Sequence, residues 1–279
     1  MPNFRLRTIF FMISIRSINH GIRCVFFLLA YFVSAQLQAQ EFSALVSPPR
    51  FEDSAKPGSV YRNVIEISNM SAGASTYIVK TADFLLADDG AVSFLEGVPQ
   101  STSCRPWVAL EAREVTVALK GKKRFRFEIK VPENEPDGEC RFALLIEGKP
   151  IEASFSVTAR IAVVVYLKIG SGEADLSIVK ASTTKIEGQE LPAFTVKNKG
   201  NAHGRLEGMV EGVDNSGKKF SFIPSNAPIM PGKERLIYLS PQPDAPDEKT
   251  PTLVYPVKIK GFLDWSNRRV PLEAVFDPD

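Results

Sequence analysis

Histidine and cysteine are nearly missing from this 279-residue chain, which has two of the first and three of the second. The shortage narrows the available chemistry. His20 lies in a leader-like segment, which leaves His203 alone in the turn Asn201-Ala-His-Gly204. One histidine with no cysteine or histidine nearby meets none of the usual zinc spacings. A Ser-His-Asp relay would need His203 as its base, and no Gly-x-Ser-x-Gly elbow accompanies it. A histidine in such a turn reads as a surface residue. No glycine loop has the spacing that cradles a phosphate, and no two of the 32 acidic residues stand out as a glycosidase pair. A non-enzyme with no metal and no cofactor is expected.

Basic excess is missing too. There are 34 Lys and Arg against 32 Asp and Glu, and four of the basic residues (Arg5, Arg7, Arg16, Arg23) fall before Glu41. Without them 30 basic residues face 32 acidic ones, a poor balance for neutralising phosphates, so no nucleic-acid partner is expected. The cluster Lys120-Gly-Lys-Lys-Arg124 separates two strand-like runs and reads as a solvated hairpin turn.

Long apolar runs are scarce. Cys24-Val-Phe-Phe-Leu-Leu-Ala-Tyr-Phe-Val33 is about half the ~20 residues a membrane span requires, and Arg16, Asn19, His20 and Arg23 cut it off from the apolar Thr8–Ile15 patch. Positive residues, a short apolar run and then small residues through Ala39 form the order of a secretory signal. The expectation is a signal peptide over residues 1–39, starting at Met1 or Met12, and an exported product with no stable membrane anchor. Cys104 and Cys140 then lie where disulfides persist. A bridge between them is expected, the other arrangement being two separate buried thiols.

Helical periodicity is almost absent after Phe42. Val115, Val117 and Leu119 alternate with polar residues, and Phe125, Phe127 and Ile129 alternate with Arg124, Arg126, Glu128 and Lys130. Half-buried strands read this way. Short strands punctuated by Asn69-Met-Ser-Ala-Gly73, Asp88-Asp-Gly90 and Val131-Pro-Glu-Asn-Glu-Pro-Asp-Gly138 indicate a sandwich. The pattern then repeats. Ile67-Ser-Asn69 answers to Val196-Lys-Asn198, and Lys120-Gly-Lys-Lys-Arg-Phe125 to Pro231-Gly-Lys-Glu-Arg-Leu236, at a spacing of about 110 to 130 residues. The fold class expected is all-β, two tandem immunoglobulin-like β-sandwich domains. The first would span 40–170 and the second 171–279, joined by a linker of a few residues at Ser171-Gly-Glu-Ala174.

One strand is unusual. Ile151, Ala153, Phe155 and Val157 alternate with Glu152, Ser154, Ser156 and Thr158, and the chain continues into Ala159-Arg-Ile-Ala-Val-Val-Val-Tyr166, apolar on both faces except at Arg160. The first half reads as a sheet-edge strand with one apolar face, the second as strand buried on both sides. An edge of this kind either lies against its own core or adds itself to a partner's sheet.

Several stretches, in order, carry a resemblance. They are Val46-Ser-Pro-Pro-Arg50, Val64-Ile-Glu-Ile-Ser-Asn69, Trp107-Val-Ala-Leu, Val131–Gly138 followed by Phe142-Ala-Leu-Leu, and Ala159–Tyr166. Phe194-Thr-Val-Lys-Asn-Lys-Gly-Asn201 and Ile229-Met-Pro-Gly-Lys-Glu-Arg235 follow more loosely. Together they resemble the periplasmic pilus-assembly chaperones of the PapD-like kind. The resemblance implies a periplasmic chaperone that holds pilin-like or coat-like subunits, with an outer-membrane usher as a further partner. It implies that Ile151, Phe155 and Val157 enter the client, and that Arg50 anchors the client's terminal carboxylate. The family's second anchor, a lysine, falls opposite Ala162, and Arg160, two residues earlier on the same face, is the substitute. That departure marks a divergent branch. The alternative from another class is a structural or adhesive surface module sharing the sandwich.

Overall fold

The structure, a computed structural model, describes residues 43–87, 90–149, 159–243, 245 and 249–278. Among these there is no α-helix, and a single 3-10 turn covers Arg105–Trp107. Two sandwiches follow one another along the chain, as the repeat anticipates.

The N-terminal sandwich contains ten strands. These are β1 (Ala44–Ser47), β2 (Arg50–Ala55), β3 (Val60–Asn69), β4 (Ser75–Leu86) and β5 (Val92–Leu95), then β6 (Val108–Leu110), β7 (Glu114–Val117), β8 (Lys122–Lys130), β9 (Gly138–Gly148) and β10 (Arg160–Ile169). One sheet has the order β1-β3-β8-β6, the other β2-β10-β9-β4-β5 with β7 also on β4. The opening strand is split between them. β1 pairs antiparallel with β3, the chain turns at Pro48-Pro49, and β2 pairs parallel with β10. The alternation read from sequence explains the core: Phe125, Phe127 and Ile129 of β8 point inward against Ile65 and Ile67 of β3 and Phe142, Leu144 and Ile146 of β9, all nearly inaccessible. Phe127 meets Phe51 edge-on at 5.5 Å and Phe142 at 6.2 Å. Each such side chain contributes roughly 1.5–3 kcal/mol by burial. Cys104 and Cys140 form the expected disulfide, with Cα atoms 5.2 Å apart, tying the loop after β5 to β9.

The C-terminal sandwich contains β11 (Leu176–Ile186), β12 (Gln189–Asn198), β13 (Val210–Val213), β14 (Lys219–Pro224), β15 (Glu234–Pro241), β16 (Val257–Trp265) and β17 (Arg268–Phe276). β15 closes it, pairing with β12 through Glu234–Tyr238 and with β14 through Leu239–Pro241. Phe194, Phe222, Leu239, Ile259 and Phe276 form the centre of its core.

The internal repeat has a physical basis in two buried asparagines. Asn69 ends β3 and Asn198 ends β12. Each donates from Nδ2 to the carbonyl four residues on (Gly73 and Ala202) and accepts at Oδ1 from the amide two residues on (Ser71 and Gly200). Each also reaches across the sandwich, Asn69 to the Val117 and Ala118 carbonyls, Asn198 to that of Ile229. A side-chain amide is needed because donor and acceptor are used at once.

Candidate functional site

The sheet containing β10 buries one face in its own core and turns the other toward the C-terminal sandwich. Odd residues of β10 from Val163 to Ile169 fill the core, while Arg160, Ala162, Val164, Tyr166 and Lys168 look outward. Strand register arranges the outward residues in rows. The first row is Ile78, Glu147 and Arg160; the second Lys80, Leu145 and Ala162. Ala82, Ala143, Val164 and Arg50 form the third, and Arg141, Tyr166 and Glu52 continue the fourth beside Phe84.

The rows separate the two arginines singled out from sequence. Arg50 is opposite Val164, four residues along β10 from Arg160, a distance of about 13 Å at ~3.3 Å per residue. Arg160 is held where it is, 3.1 Å from Glu96 and 3.5 Å from Glu147, and Lys80 joins the same group 2.9 Å from Glu147. Arg50 lies 2.9 Å from Glu52 on its own strand. The structure therefore does not bring Arg50 and Arg160 together, and gives each its own carboxylate. Ile151, Phe155 and Val157 lie outside the described residues.

The edge of β10 is half open. β9 pairs with all of it, but β2 covers only Val164 to Ile169. Among the described residues nothing pairs with that edge from Arg160 to Val163. The amide of Val164 donates to Pro49 O on the β2 side, so by strand alternation the N–H and C=O of Ala162 point outward from the open stretch.

Between the sandwiches is a polar cluster that the sequence reading missed. His203 is buried, with 5 % of its surface exposed, which corrects the expectation of a surface turn residue. Its Nδ1 is 2.5 Å from Glu139 Oε2 on β9, its backbone amide donates to the same oxygen at 3.1 Å, and Nε2 is 3.4 Å from Glu52 on β2. Tyr166 covers the imidazole, ring centroids 4.1 Å apart. Arg205, also buried, donates to Glu52 at 2.9 Å and to Asn226 O at 2.6 Å. Burial disfavours the charged imidazole, but the bonds to Glu139 and Glu52 outweigh it and raise the His203 pKa. The His203 bond, opposed by desolvation and helped by Arg205, holds Glu52 down to about 2. The arrangement joins two sandwiches; it presents no nucleophile activated by a base. Among the described residues no group of three or more His, Cys, Asp or Glu is placed to hold a metal ion.

No protein-family model and no curated protein matches the chain. Among solved structures, its fold is similar to one from a chaperone–tip adhesin complex in CFA/I fimbriae biogenesis, 12 % identical, covering 85 % of this chain and 100 % of that one, TM-score 0.47. The class 5 fimbriae chaperone CfaA is 15 % identical over 85 % and 100 % of the two chains, TM-score 0.44. The CsuC–CsuE chaperone–tip adhesion subunit complex of Acinetobacter baumannii gives 16 %, 83 % and 98 %, TM-score 0.42. The similarity is one of fold.

Proposed function

We propose that this protein is an exported, periplasmic, non-enzymatic chaperone that holds secreted pilin-like subunits by lending them the open edge of β10. Its organisation in this reading is a signal peptide over 1–39 and sandwich domains over 40–170 and 171–279. The observation that carries the reading is the half-covered edge: the backbone of Arg160–Val163 is paired to β9 and, among the described residues, unpaired on its other side. A row of free amides and carbonyls is a template for another chain. The alternation upstream at Ile151, Phe155 and Val157 would extend the same strand with an apolar face. The motifs around Arg50 and Ala159–Tyr166 support the family assignment.

The test is a change at the outward amide. Proline at 162 removes the N–H that faces the open side and spares the β9 ladder, since proline is tolerated at edges. Tagged protein captured from the periplasm of its own host is expected to bring down a small secreted subunit, and Ala162→Pro to lose it at an unchanged thermal midpoint. Equal capture by a folded Ala162→Pro variant refutes strand lending.

A further inference from the structure

The end of the N-terminal sandwich away from the C-terminal one carries an unusual mixture of side chains. β9 begins beside the C-terminal sandwich, where Asn201 Nδ2 donates to the Asp137 carbonyl at 2.9 Å. The strand ends at Gly148, about 33 Å away at ~3.3 Å per residue. Gly148 pairs with Tyr77, and Ser75 just beyond it pairs with Val117. Two connections meet at this end, the 69–75 loop and the 118–121 turn. The amide of Asn69 joins them by donating to the Gly121 carbonyl at 2.9 Å.

Three large apolar side chains are exposed there. Met70 in the loop is 63 % exposed, Leu119 in the turn 50 %, and Leu45 of β1, opposite Ser68, 60 %. Cations surround them. Lys122 of β8 is also opposite Ser68, and it pairs with Glu66 at 2.7 Å. Lys120, Lys123 and Arg124 are exposed and have no ion pair among the described residues. Neither 69–75 nor 117–124 contains an acidic residue.

Lys120 also has a φ of 53°, in the left-handed region. Glycine or asparagine would hold that position with less strain, so the backbone gives no reason for a lysine there. The turn is solvated, as its sequence indicates, but solvation does not account for the exposed apolar side chains among its cations. Apolar residues on turns, bordered by lysine and arginine, suit a lipid interface. The apolar atoms sit below the headgroups and the cations meet the phosphates. A stable protein partner needs a broader platform, about 800 Å² on each side, than three side chains on turns provide. β1 starts at the same end, with Ala44 opposite Asn69, so the leader-like sequence is joined to the fold on this side by connectivity.

We propose that this tip is a peripheral membrane-contact surface that docks on anionic phospholipid. Lys120, Lys123 and Arg124 face the headgroups, and Leu45, Met70 and Leu119 insert just below them. Each cation near an anionic surface raises partitioning by about fivefold, and salt screens the gain. The assignment rests on the proposed function only in taking the chain to be exported.

Co-sedimentation of the mature chain with vesicles tests it. At low salt, vesicles of equal parts phosphatidylglycerol and phosphatidylcholine are expected to bind at least tenfold more tightly than pure phosphatidylcholine. Raising the salt is expected to release the chain. The triple variant Lys120→Gln, Lys123→Gln, Arg124→Gln is expected to lose the preference. A second triple variant, Lys219→Gln, Lys258→Gln, Lys260→Gln, removes the same charge from the C-terminal sandwich and is expected to keep it. In Leu119→Trp the added indole emission is expected to shift to the blue on the anionic vesicles. No preference for the anionic vesicles, or an intact preference in the folded tip variant, overturns the surface. Equal loss in the two triple variants overturns its location at the tip. Complete displacement by poly-glutamate at equal anionic charge overturns the lipid assignment in favour of an acidic protein. Ala162→Pro is expected to bind vesicles as the parent does, so a failure of strand lending and a failure of this surface are read separately.

Discussion

Glu139 Oε2 lies 2.5 Å from His203 Nδ1, and with the His203 amide at 3.1 Å this one oxygen fastens β9 to the C-terminal sandwich. The other oxygen, Oε1, is buried without a hydrogen-bond partner. Among the described residues, His203 is the one ion-pair partner of this fully buried carboxylate.

Stability should vary with pH on both sides of this contact. His203 has its pKa raised above 6.5 in the fold, so its contribution is complete below 6.5 and is lost as pH rises through the raised value. Glu52 is lowered from 4.5 to about 2, so its contribution is complete above 4.5 and is lost as pH falls toward 2. The thermal midpoint is expected to be highest between 4.5 and 6.5. His203→Gln should flatten the alkaline limb; an alkaline limb unchanged in that variant counts against the histidine.

Glu139→Ala should cost about 3 kcal/mol, the scale for breaking a buried pair by removing one member. Urea denaturation measures the loss. Scattering in solution should report a wider distribution of angles between the sandwiches.

Asn69 and Asn198 should be intolerant of isosteric charge. In Asn198→Asp a carboxylate would face the carbonyls of Ala202 and Ile229 where an amide now donates at 2.8 Å to each. A loss of about 2 kcal/mol or more is expected in denaturant unfolding, given the cost of buried unpaired polar groups. Asn69→Asp should behave alike, because its amide serves three carbonyls.

Reducing the disulfide should destabilise the N-terminal sandwich by roughly 4 kcal/mol on the chain-entropy relation for the 36-residue separation of Cys104 and Cys140. A Cys104→Ser, Cys140→Ser double variant, compared with the oxidised protein in urea, measures it. Thiol counting on the unreduced, denatured mature chain should find none free.

Replacing Phe155 and Val157 with Ser and Thr separates two roles for that segment. If their alternating face serves a client, capture is lost and the melting temperature stays put. A large drop in melting temperature without a client would place both residues in the protein's own core.

The strands were legible because alternation is local: Phe125, Phe127 and Ile129 announce an inward face within five residues. The asparagine repeat was legible as well, since part of each amide's work is on neighbours two and four residues away. His203 was not. Its turn reads as solvent-exposed, and what buries it comes from Glu139, 64 positions earlier, and from Tyr166. The separation of Arg50 from Arg160 was equally hidden, because it depends on the parallel register of β2 on β10, which no short-range pattern encodes. A hint of the cluster existed in β9, where Glu139, Arg141 and Glu147 share the outward side with Ala143 and Leu145.

The turn at Pro48-Pro49 acts as a ruler. It fixes where β2 begins, and β2 occupies the edge of β10 from Val164 onward. The length of edge left free is therefore written into the first strand rather than into β10. Moving the two prolines by a pair of residues would lengthen or shorten the vacant stretch in steps of about 7 Å, keeping every side chain on its original face. The length of that stretch is in this way set within Ala44–Ala55, with the outward side chains of β10 left untouched.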